Sequence, residues 1–128
     1  MSFKTQKLPN ENIIIHTLNA DFNPAIEVQN SNLSANRTLN EADEPCFFII
    51  DLTALHPGLD EIMLSANAVR QNAVFANPRI RELIFATRDD VVAQATKGFD
   101  SAAFGHVKSK VFTSLEKALA YARSQQSD

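Results

Sequence analysis

At 128 residues, with 45% apolar and 21% charged side chains, the chain has the size and composition of one soluble globular domain with its own core. Its three glycines, Gly58, Gly98 and Gly105, cannot spell either Gly-rich phosphate-binding motif, and one cysteine excludes an internal disulfide framework or a multi-cysteine metal site. Nine acids against three bases in residues 1–64 (net −6) contrast with nine bases against six acids in residues 65–128 (net +3). The basic residues of the second half, Arg70, Arg79, Arg81, Arg88, Lys97, Lys108, Lys110, Lys117 and Arg123, are spread rather than clustered, so no nucleic-acid partner is expected. The longest apolar run, Cys46 to Ile50, is too short to span a bilayer, and Met1 to Lys7 lacks the apolar stretch of a secretory signal. A cytoplasmic location, without membrane contact, is the expectation.

The elements follow in chain order. Phe3 to Leu8 alternates loosely and reads as an edge strand. Pro9-Asn10-Glu11-Asn12 has turn chemistry, because proline presets φ and asparagine tolerates the left-handed region. Ile13 to Leu18 is β-branched and closes an opening hairpin. Asn23-Pro24 then resembles a helix start, and a helix over about 24–41 is predicted, with Ile26, Leu33 and Leu39 pointing inward. The alternation of Ile26-Glu27-Val28-Gln29 and the asparagines at 30, 32, 36 and 40 speak against it.

Cys46 to Leu52 is an apolar run after Pro45, the pattern of a strand buried on both faces. His56-Pro57-Gly58 breaks the chain. Leu59, Ile62, Met63, Ala66, Val69 and Ala73 then recur at helical spacing, predicting a helix over about 58–76. Ile80 to Ala86 reads as the next strand. Thr87 caps a further helix containing Val91, Val92, Ala95 and Phe99, with Asp90 three residues on. Val107 to Phe112 is the last strand. Thr113-Ser114-Leu115-Glu116 spells a capping box before a final helix with Leu115, Ala118, Leu119 and Ala122 inward. This alternation predicts an α/β fold: a single domain over residues 1–128, with a mixed, mostly parallel five-stranded sheet flanked by four helices in the order ββαβαβαβα.

Three segments resemble one known family. Phe47-Phe48-Ile49-Ile50-Asp51-Leu52-Thr53-Ala54-Leu55 is similar to the strand signature of STAS domains, named for sulfate transporters and anti-sigma-factor antagonists. Asn77-Pro78-Arg79-Ile80 and the ending Gly105 to Tyr121 are similar to the corresponding stretches of SpoIIAA-like proteins. The resemblance follows the whole chain in element order. It implies a SpoIIAA-like fold and a non-enzymatic regulatory module that binds a partner protein, such as a regulatory kinase or an anti-sigma factor, as a homodimer. Members of the family carry a regulatory serine in a D-S-x-G pattern after the third strand. Between Asp51 and Met63 this chain has no serine, so the resemblance implies no phosphoserine switch here.

Ligands of parallel α/β sheets gather beyond the carboxyl ends of the strands. The partner- or ligand-binding candidates are accordingly Thr53, His56, Gly58, Glu61, Thr87 and Arg88. An alternative function, binding or sensing of a small apolar ligand between helices and sheet, rests on Met63, Phe75, Phe99 and Phe104, which a phenylalanine-rich core explains more simply. His56 beside Asp51, Asp60 or Glu61 resembles a general base, yet no nucleophile stands nearby. Asp51 is more simply a turn former and His56 a loop residue, so no catalytic residue is expected. Cys46 opens an apolar strand and is expected in the core. His16, His56 and His106 lack metal-ligand spacing, so neither a metal nor another cofactor is expected.

Overall fold

The hairpin forms as the turn chemistry requires. Strands β1 (Phe3–Lys7) and β2 (Ile13–Leu18) pair antiparallel, with Thr5 opposite His16. Between them the Glu11 N–H donates to Leu8 O at 3.3 Å, and Asn10, following Pro9, takes φ 62°. Proline at the second position and a left-handed residue at the third are the requirements of a type II turn, and asparagine meets the latter at little steric cost. The computed structural model describes residues 2–54, 77–88 and 109–126.

Helix α1 (Pro24–Glu41) follows β2, so the helical reading of this segment prevails over the strand-like alternation. Asn23 is its N-cap: its carbonyl accepts the first helical bond, from Glu27 N at 2.8 Å, and Pro24 occupies the first turn, where a missing N–H costs nothing. Of the residues predicted to point inward, Leu39 does so and Leu33 does not. Ser31, Ala35, Leu39 and Ala42 are buried, whereas Leu33 is 60% exposed. Leu33 and Leu39 are six residues apart, so at about 100° per residue they point to different sides of the helix. Small residues, Ser31 and Ala35, share the buried stripe with Leu39.

Strands β3 (Cys46–Asp51), β4 (Ile80–Ala86) and β5 (Ser109–Phe112) complete a five-stranded sheet in the order β1-β2-β3-β4-β5, parallel from β2 to β5. Every residue of β3 is buried, as its unbroken apolar run predicted. Alternation sorts the strand residues into two cores. Ile14, Leu18, Phe48, Ile50, Leu83 and Phe85 face the side of α1, with Phe22, Leu39 and Ala42. Ile13, Phe47, Ile49, Ile84 and Ala86 face the opposite side, under Ala118 and Ala122 of helix α2 (Leu115–Gln126). Cys46 is buried on the α1 side, its thiol donating to Glu44 O, and burial pushes its pKa up; it is a core residue.

One irregularity breaks the alternation. Cys46 pairs with Ile80 and Phe47 with Glu82, so Arg81 bulges out without a partner on β3. A bulge turns two successive side chains to one face. Ile80 and Leu83 therefore both face α1, while Arg81 and Glu82 both face α2. Arg81 lies over the Phe47 ring at 4.7 Å and donates to Gln125 O at 3.2 Å, capping a carbonyl in the last turn of α2. Glu82, 2% exposed, accepts a hydrogen bond from the Tyr121 hydroxyl. Burial, and then that carboxylate, push the Tyr121 pKa up to about 12.

The start of α2 also departs from expectation. Lys117 N donates to Ser114 Oγ at 3.2 Å and Ala118 N to Ser114 O at 3.2 Å, so Ser114 rather than Thr113 is the N-cap. The helix begins one residue later than the capping-box motif suggested, which puts Lys117 at the third helical position and leaves Glu116 in the first turn beside the positive end of the dipole. Two helices stand among the described residues where four were expected; those predicted over 58–76 and after Thr87 lie outside them. The last strand, expected from Val107, is described from Ser109.

Candidate functional site

The carboxyl ends of β3 and β4 lie side by side, because Asp51 pairs with Ala86 and Leu52 N donates to Ala86 O at 2.8 Å. Asp51, 8% exposed, ends β3 with an Asx turn: its Oδ1 accepts from Thr53 N at 3.0 Å and from Thr53 Oγ1 at 2.6 Å. The turn-forming reading of Asp51 is therefore the observed one, and it fixes Thr53 at the rim. Across the strand pair, Arg88 Nη2 donates to Thr53 O at 3.1 Å. Arg88 is exposed, Thr53 half-buried.

Thr87 ties the same rim to β5. It is 2% exposed, and its N–H donates to Phe112 O at 2.9 Å. Thr53, Thr87 and Arg88 are thus brought together at one edge, as the sequence predicted. Thr87 is a buried link between strands, and among the described residues the rim surface is made by Thr53, Ala54 and Arg88. His56, Gly58 and Glu61 lie outside the described residues, as do Met63, Phe75, Phe99 and Phe104 of the apolar-ligand reading.

Two polar clusters escaped the sequence reading. His16 on β2 is 4% exposed, with Nδ1 at 2.8 Å from Thr5 Oγ1, which in turn lies 2.9 Å from Ser34 Oγ of α1. The imidazole stacks on Phe48 at 5.8 Å, and burial lowers its pKa to about 4. It is a neutral bridge between β1, β2 and α1. The second cluster stands at the opposite end of the sheet from the rim. Asn77 Nδ2 donates to Asn36 Oδ1 at 2.9 Å and to Asn40 Oδ1 at 3.3 Å, while Arg79 donates to Ala42 O just beyond the end of α1. Two of the four asparagines that spoke against a helix, Asn36 and Asn40, here tie it to the segment leading into β4. Neither cluster was legible, since each joins residues 11 to 41 positions apart without a local motif. Among the described residues, no group of three His, Cys, Asp or Glu side chains is placed to hold a metal ion. No described helix is long and apolar enough to cross a membrane.

The chain matches no family model and no curated protein sequence. Among solved structures it is similar to an uncharacterized protein of the DUF3478 family with a SpoIIAA-like fold from Shewanella loihica PV-4. The match has a TM-score of 0.56 at 11% sequence identity and covers 94% of this chain and 91% of the other. At that identity the likeness speaks for the fold alone. Near-complete coverage, the mixed five-stranded sheet and the two-sided core agree on it: the chain has a SpoIIAA-like fold.

Proposed function

We propose that this chain is a non-enzymatic, STAS-like regulatory module that acts by binding another protein, as a homodimer and without a phosphoserine switch. The observation that carries the reading is the exposed Arg88, whose guanidinium is held against Thr53 O on a rim that Asp51 stiffens. An arginine fixed in place binds a partner without losing much side-chain freedom, and arginine is among the residues that dominate interface energetics. The resemblance to STAS domains adds the expectation of a protein partner. Capture from a lysate of the native organism, followed by cross-linking and mass spectrometry, tests it. A specific protein cross-linked near Thr53 and lost with Arg88→Glu, in a variant that melts as the parent does, supports the reading. Capture indifferent to Arg88→Glu removes this rim as the docking surface.

A further inference from the structure

We propose that the outer edge of β1 is a second docking surface, which takes up an extended, acidic segment of a partner protein as a sixth strand. Among the described residues the edge is open in the sheet order, since there β1 pairs only with β2. Which backbone groups it offers follows from two hydrogen bonds. Asn19 N donates to Ser2 O and Leu8 N donates to Ile13 O, so the even-numbered residues of this strand turn their backbone toward β2. By alternation, the N–H and C=O groups of Phe3, Thr5 and Lys7 point outward, a row suited to strand addition.

The charge of the edge selects the occupant. β1 and β2 together carry Lys4 and Lys7 and no carboxylate. Lys4 and Gln6 are exposed on the α2 side of the sheet, where α2 itself packs on β3, β4 and β5. Lys7 lies on the other face, its Nζ donating to Leu8 O at 3.4 Å and Glu11 O at 2.9 Å. A sixth strand with an acidic side chain beside Lys4 gains a cross-strand ion pair, whereas one carrying lysine there meets repulsion. The partner's backbone supplies the bonds and its acids supply the choice. This contact extends the protein-binding reading and stands apart from the Thr53–Arg88 rim.

The test is an amide-resolved NMR titration of the full chain with a synthetic peptide of alternating Glu and Val, and with its Lys-for-Glu counterpart. The acidic peptide is expected to shift the Phe3, Thr5 and Lys7 amides and slow their hydrogen exchange, while the basic one leaves them unchanged. Lys4→Glu should weaken acidic-peptide binding about fivefold or more. Lys7→Pro should abolish it, because it deletes an outward N–H that the β1–β2 ladder does not use; an unchanged melt shows that this variant still folds. No shift at β1 with either peptide means that the lysines guard the edge against pairing, and the proposal falls. Binding that survives Lys7→Pro also overturns it. In either case the rim reading stands or falls separately, on the Arg88→Glu capture.

Discussion

The buried His16 makes stability fall with acid in a pH range where carboxylates contribute little. Its folded-state pKa is about 4, against 6.5 for an ordinary histidine, because burial between Thr5, Ser34 and Phe48 disfavours the imidazolium. Between those two values the unfolded chain binds a proton that the folded chain refuses, so stability rises with pH across the interval. The contribution is complete above the unfolded pKa and is lost as pH falls toward the folded one. From about pH 7.5 to about pH 5 the loss is about 2 kcal/mol for this one group, on the order of a quarter of a typical domain's stability. Urea denaturation at a series of pH values measures it, with His16→Gln as the non-titrating reference. The variant should be less stable at neutral pH and should have a flatter profile between pH values of about 5 and 7. If parent and variant lose stability in parallel over that interval, His16 is not held neutral by burial and the bridge to α1 is misread.

Three further outcomes follow from the packing. Ser114→Ala should lower stability by about 1 kcal/mol in chemical denaturation, and Thr113→Ala by much less, because Ser114 caps α2; equal losses would contradict this cap. Leu39→Ala should cost about 2–5 kcal/mol and Leu33→Ala less than about 0.5 kcal/mol, since the first is fully buried and the second 60% exposed. Tyr121 is the single tyrosine of a chain without tryptophan, so its ionisation is read directly from near-ultraviolet absorbance. Its midpoint should lie near 12 and move toward 10 in Glu82→Gln, and a midpoint near 10 in the folded parent would mean that the phenol does not meet the Glu82 carboxylate.

What was legible in the sequence was what depends on near neighbours. Four strands follow from β-branched and apolar runs and β1 from its loose alternation, and the Asp51 turn and the Pro9-Asn10 turn from residues that form them locally. The adjacency of Thr53 to Thr87 and Arg88 was also legible, because parallel strands of one sheet put their carboxyl ends at one edge. The inward stripe of α1 was legible only at Leu39. Ser31, Ala35 and Ala42 are too small or polar to announce a core face, and the larger Leu33 drew attention to the wrong side. The bulge at Arg81 has no signature in Ile80-Arg81-Glu82-Leu83, yet it decides that Arg81 and Glu82 both serve α2. The His16 and Asn77 clusters join distant segments and exist only once the sheet is assembled.

Native mass spectrometry of the chain, purified gently from cells, bears most directly on the proposal that it acts by protein binding. The expected result is an ion of twice the chain mass, free of added small molecules. A reproducible addition of small-molecule mass would contradict protein binding as the primary function and make the chain a ligand carrier.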